Sequence, residues 1–146
     1  LDPVLIPAVL PILSFAVSFA KKVYGQKLVI PHGLLGFGQN EFWFNIAKPG
    51  ELTGVHNHKD KSTTSGVFYL KVPENSGNLF FKKGKSHELE FQSKIAEMVL
   101  FPSSLNHYVS ENRSESERIS LAFNCFAFPM IDNSVELGYE KSKYFV

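Results

Sequence analysis

The chain has a single cysteine, Cys125, among its 146 residues. That excludes an internal disulfide framework and fits a reducing compartment. It also lacks an excess of either charge: 15 Lys and Arg against 14 Asp and Glu leave a net +1. There is therefore no basic footprint for nucleic acid and no acidic tail. A proline-free apolar run of membrane-spanning length is missing too. The one stretch of about that length, LDPVLIPAVLPILSFAVSFAKKVYG, contains Pro3, Pro7 and Pro11 and has no basic residues before it, unlike a signal peptide. Its second half predicts a helix from Ile12 to Tyr24, closed by Gly25 after Lys21 and Lys22. Such a helix is expected to pack against a sheet rather than to anchor the chain in a membrane. No repeat or low-complexity segment is visible. The chain opens on Leu1 instead of methionine, so a start further upstream is expected.

What the chain does have is fourteen phenylalanines and enough length for one core, read here as a single domain over 1–146. Beyond Gly25 the pattern turns to β, with short apolar or alternating runs separated by turn residues. The runs are KLVI, EFWFNIA, SGVFYLKV, GNLFFKK, HELEFQ, AEMVLFP, NHYVS and ERISLAFNCFAF, with clear turns at PENSG and KKGKS. Their spacing predicts an antiparallel sandwich or barrel, mainly β, with the N-terminal helix outside it. The polar tail DNSVELGYEKSKYFV ends in aromatic residues that could dock on the body.

Two of the five histidines stand at alternate positions in GVHNHKD. On a strand, alternate side chains share one face, so His56 and His58 point the same way, and Asp60 with them if the strand runs that far. Two imidazoles on one strand can grip a metal ion if the fold brings in a third ligand. His107 is the candidate, placed just after the apolar run MVLFP, where a core strand would end near a pocket mouth. Such three-residue faces serve non-haem Fe(II) centres and leave coordination positions open. The bland alternative is a set of polar loop histidines.

Eleven residues after His107 comes Arg118, at the start of a strand reading RISLAFNCF, with Ser120 on the same face two residues on. An arginine facing a pocket there can bind a carboxylate with both prongs; otherwise it is an edge-strand arginine paired with Glu115 or Glu117. Tyr69 could add its hydroxyl to the same carboxylate. Asn45 alternates with Trp43 and either reaches a cofactor or is satisfied within the sheet. His32 and His87 read as surface residues, and Cys125 as core filling beside Phe123 or Phe126.

Taken in order, HNH, SGVFYLKVPENSGNLFF and AEMVLFPSSLNHYVSENRSESERISLAFN resemble the 2-oxoglutarate/Fe(II)-dependent oxygenase superfamily. The likeness is to a branch related to prolyl hydroxylases, found in marine bacteria and their phages. It implies a distorted double-stranded β-helix, or jelly roll, with helices outside, and Fe(II) and 2-oxoglutarate as cofactors. It also implies a dioxygenase that hydroxylates a peptide, amino-acid or small-molecule substrate in the cytoplasm of a bacterium or a phage-infected host cell, with no nucleic acid or membrane as partner. The metal ligands would be His56, His58 and His107, and the far carboxylate of 2-oxoglutarate would meet Tyr69, Arg118 and Ser120. His58 stands where the superfamily has aspartate, although the branch itself has histidine in both places. A second register, with His58 and Asp60 as the pair, stays open. Two competing readings are a cupin-type metal enzyme that uses no 2-oxoglutarate and a non-catalytic jelly-roll interaction or virion protein.

Overall fold

The computed structural model describes residues 6–31, 41–59, 62–84 and 87–128. His32, Asp60 and the C-terminal tail lie outside these residues. The helix α1 (Val9–Tyr24) begins three residues before Ile12. Pro11 is its third residue, and the first four N–H groups of a helix find no acceptor within it, so a proline there removes nothing. The other end falls at Gly25 as expected. With φ at 68°, Gly25 turns the chain left-handed and returns its N–H to the Lys21 carbonyl at 3.0 Å. No helix among the described residues is long and apolar enough to cross a membrane.

Among the described residues nine strands follow: β1 (Leu28–Val29), β2 (Phe42–Ala47), β3 (Thr53–His56), β4 (Thr64–Lys71), β5 (Leu79–Lys83), β6 (His87–Phe91), β7 (Met98–Pro102), β8 (Asn106–Val109) and β9 (Arg118–Ala127). They make two antiparallel sheets, the jelly-roll arrangement expected. In the five-stranded sheet β9 is central, flanked by β1 and β2 on one edge and by β4 on the other, with β7 beyond β4. The second sheet runs β3-β8-β5-β6. Each run read as β from the sequence forms a strand.

The two-residue alternation of β9 separates the faces of the larger sheet. Leu121, Phe123 and Cys125 turn to α1, where they pack with Leu13, Ala16, Ala20 and Phe42. Each fully buried Leu or Phe contributes roughly 1.5–3 kcal/mol. Gly66 on β4 belongs to this face because the Phe123 ring and the Leu100 methyl occupy the space a Cβ would need. A second cluster, Leu79, Phe81 and Phe101 with Val67, Val99 and Val109, fills the space between the sheets. The opposite face of β9 carries Arg118, Ser120, Ala122 and Asn124, and there the site forms.

Candidate metal and cofactor site

Register alone assembles one wall of the site. Across β2, β9 and β4, Asn45, Ser120 and Tyr69 stand in one row, and Trp43, Ala122 and Val67 in the next. Ala47 with Arg118 begins the series, and Asn124 with Ser65 ends it. These residues line a cavity of about 420 Å³. The smaller sheet supplies the opposing histidines. His56, the last residue of β3, pairs directly with His107 on β8, and His107 pairs with Phe81 on β5.

The strand alternation expected for His56 and His58 does not hold, because β3 stops at His56. His58 reaches the cavity from the loop that follows, its backbone N–H donating to the Ser103 carbonyl at 2.8 Å. The convergence is still close. The candidate ligand atoms of His56, His58 and His107 all lie within 4.8 Å of one another. The ring centroids of His56 and His107 are 4.3 Å apart, and those of His56 and His58 are 5.0 Å apart.

Two of these rings have their tautomer set by the backbone. His56 Nδ1 lies 2.8 Å from the Gly54 carbonyl and His107 Nδ1 2.9 Å from the Leu105 carbonyl. A carbonyl can only accept, so each Nδ1 carries the proton and each Nε2 keeps its lone pair. His107 is buried, with the Phe101 ring centroid 4.7 Å from its own. Burial pushes its pKa below the ordinary histidine value and His56 adds to this, while the bond to Leu105 works against them. The neutral form that binds metals is thereby favoured.

At the other end Arg118 is only 5% exposed. One of its Nη1 hydrogens goes to the Ser76 carbonyl. The ion pairs among the described residues join Lys82 to Glu88, Lys94 to Glu97 and Arg113 to Glu111, and none includes Arg118. It is thus neither on an edge strand nor paired with Glu115 or Glu117. A buried guanidinium without a counter-charge is unusual, since buried charges are normally paired. Burial also raises the Tyr69 phenol above its ordinary pKa, against a smaller downward pull from Arg118. The phenol therefore keeps its proton and can donate it.

All six residues singled out for metal and cofactor, His56, His58, His107, Tyr69, Arg118 and Ser120, line the one cavity, as does Asn45. His87 is exposed on β6. Asn124 and Ser65 also line the cavity and were not picked out from the sequence, although the alternation from Arg118 through Ser120 leads straight to Asn124. This donor set suits a divalent transition metal, because imidazole serves Fe, Ni, Cu and Zn alike. The unpaired Arg118 suits a carboxylate.

Comparison with known proteins agrees. A family model described as "Putative 2OG-Fe(II) oxygenase" matches residues 41–94 and 82–124. A 2OG-Fe(II) oxygenase family oxidoreductase from Burkholderia pseudomallei is similar in structure, with a TM-score of 0.63 at 16% identity over 75% of this chain and 51% of its own. A non-heme monooxygenase solved as a nickel complex gives 0.55 at 9% identity, over 77% and 49%. A Pseudomonas putida prolyl-4-hydroxylase is 26% identical over 62% of this chain and 54% of its own, with a TM-score of 0.49. The chain spans about half the length of these structures. No curated protein matches it. The likenesses to the Burkholderia pseudomallei oxidoreductase and the non-heme monooxygenase show the fold, and the family model, which covers more than half of the sequence and takes in every one of the six residues, shows the family: the chain belongs to the 2OG-Fe(II) oxygenases, whose cofactors are Fe(II) and 2-oxoglutarate.

Proposed function

We propose that this chain is an Fe(II)- and 2-oxoglutarate-dependent dioxygenase that hydroxylates a peptide, amino-acid or small-molecule substrate. In this reading residues 1–146 form one jelly-roll domain, at work in the cytoplasm of a bacterium or a phage-infected host cell. The observation that carries the proposal is Arg118, a buried guanidinium with no carboxylate partner among the described residues, facing the cavity that the three histidines also line.

His56, His58 and His107 are the metal ligands in this reading, and the backbone carbonyls of Gly54 and Leu105 keep the rings of His56 and His107 oriented. When bound, Fe(II) and 2-oxoglutarate supply the oxidising chemistry that couples O₂ to loss of a substrate C–H bond. The chain's own part is to bind, orient and shield. Arg118 would hold the far carboxylate of 2-oxoglutarate, with the protonated Tyr69 and Ser120 beside it as further donors. Phe81 and Phe101 cover His107 and keep water from that side. Three histidines would form a neutral ligand set, so an iron held there would be more electron-poor than with two histidines and a carboxylate. A cupin-type metal enzyme would use the same three histidines but has no need of Arg118.

The test is a 2-oxoglutarate titration of the iron-loaded protein and its Arg118→Ala and Arg118→Lys variants at matched salt. Truncating one partner of a buried charge pair costs about 2–5 kcal/mol, so Arg118→Ala should lose well over tenfold in affinity. Arg118→Lys should recover only part, because an ammonium lacks the planar fork. Iron binding should survive both changes. Wild-type cofactor affinity in Arg118→Ala would move the cupin reading ahead.

A further inference from the structure

His58 is the one member of the triad that no strand holds, yet its loop is not loosely attached. Its N–H donates to the Ser103 carbonyl, and its own carbonyl accepts from the Ser62 N–H at 3.1 Å. The Ser62 and Ser103 hydroxyls then meet at 2.7 Å, closing a ring of bonds around the His58 backbone. Ser103 is buried, and its N–H holds the Thr63 carbonyl at 3.1 Å.

Proton bookkeeping gives the hydroxyls a direction. Asn124 Nδ2 donates to a Glu41 carboxylate oxygen at 3.0 Å, which leaves Asn124 Oδ1 facing Ser65. That oxygen can only accept, so the single Ser65 proton goes to it, at 2.9 Å. Ser103, 3.0 Å from Ser65, must then donate to Ser65, and Ser62 must donate to Ser103. The result is a one-way chain from Ser62 through Ser103, Ser65 and Asn124 to the Glu41 carboxylate. It crosses from the His58 loop to β4, β9 and the entry to β2. Bonds in such a chain polarise one another, and the charged acceptor strengthens the end of it.

We propose that Ser103 is the positioning residue of the metal site: with Ser62 it clamps His58, and the chain to Glu41 gives the clamp its rigidity. The inference rests on the reading of His58 as a metal ligand. It assigns a role to side chains that touch neither metal nor cofactor. A loop-borne ligand is thereby held by two backbone bonds that a pair of hydroxyls ties together, instead of by a β ladder.

Co(II), whose absorption reports ligand number and geometry, is the probe, added to the full chain. Ser62→Ala and Ser103→Ala should each weaken Co(II) binding about tenfold or more, the usual effect of removing an outer partner of a ligand. Both spectra should move toward that of His58→Ala. Adding Ser103→Ala to His58→Ala should weaken Co(II) no further. Ser62 is only half-buried, so Ser62→Ala should melt like wild type without metal, which separates the effect from misfolding. If His58→Ala weakens binding while both serine variants bind and absorb as wild type, the clamp is wrong and the metal site stands. An equal loss from Ser103→Ala with and without His58 overturns the clamp as well, because the serine then acts on the fold at large. If His58→Ala binds Co(II) as tightly as wild type, the metal reading itself fails and takes the clamp with it.

Discussion

His107 is closed in by aromatic rings, and that surrounding makes it sensitive to acid. Its pKa is depressed in the folded state from the ordinary 6.5. Above that value both folded and unfolded chains carry the neutral ring and nothing is lost. Below it the unfolded chain takes up a proton that the buried ring resists, so stability falls until the pH reaches the depressed folded value. The metal-free protein should therefore lose melting temperature as the pH drops below about 6.5. His107→Asn should show a flatter dependence over the same window, and an identical slope would mean that the stability lost in acid comes from other groups. For the same reason metal binding should weaken only once the pH is taken below that value. The two possible ligand registers separate by substitution: His56→Ala should abolish iron binding and Asp60→Ala should leave it nearly intact, with the opposite ranking in an iron titration moving the pair to His58 and Asp60. Cys125 is at the other extreme of reactivity. Burial against α1 pushes its thiol up to about 12, so it should resist alkylation at neutral pH until the chain unfolds.

Strands and turns show where pattern reading succeeds. β4, β7 and β9 announce themselves because apolar side chains face α1 at every second position. β3 does not: it is short and half-exposed, with a glycine in the middle, and its reason for being a strand is the partner β8, far away in sequence. The same gap explains why the sequence pattern puts His58 on the strand while it stands in the loop after it, since nothing local says that β3 stops one residue after Val55. The site residues Arg118, Ser120 and Tyr69 could be read from alternation and order. Asn124 lies on that same alternation, but Ser103 could not be found so, because its hydroxyl meets Ser65 and Ser62, 38 and 41 residues away in sequence. Two glycines test the element-level packing. Gly66→Ala would place a Cβ 2.6 Å from the Leu100 methyl and against the Phe123 ring. Thermal unfolding should report a loss of about 1–3 kcal/mol, the usual effect of overpacking. Gly77, with φ at 92°, passes beneath Arg118, and a Cβ there would lie 2.8 Å from Arg118 Nη1 and run into the Ser110 carbonyl. Gly77→Ala should weaken 2-oxoglutarate while leaving metal affinity in place, and equal losses of both would show that the turn supports the whole site.

The molecule as a whole divides the work between its sheets. The four-stranded sheet and its adjoining loop bring three histidines to one point, and the five-stranded sheet presents Arg118, Ser120 and Tyr69 across the same cavity. Helix α1 covers the far side of the larger sheet, so the face carrying Arg118 stays available to the cavity. The central claim is that both halves act on one ligand pair, the metal held by histidines and the keto acid reaching from it to Arg118. Anaerobic titration of the Fe(II)-loaded chain with 2-oxoglutarate tests this most directly. A visible charge-transfer band of the iron chelate should grow and saturate at one cofactor per chain, and it should vanish in His107→Ala. Iron that binds without any such band at saturating 2-oxoglutarate would contradict the account.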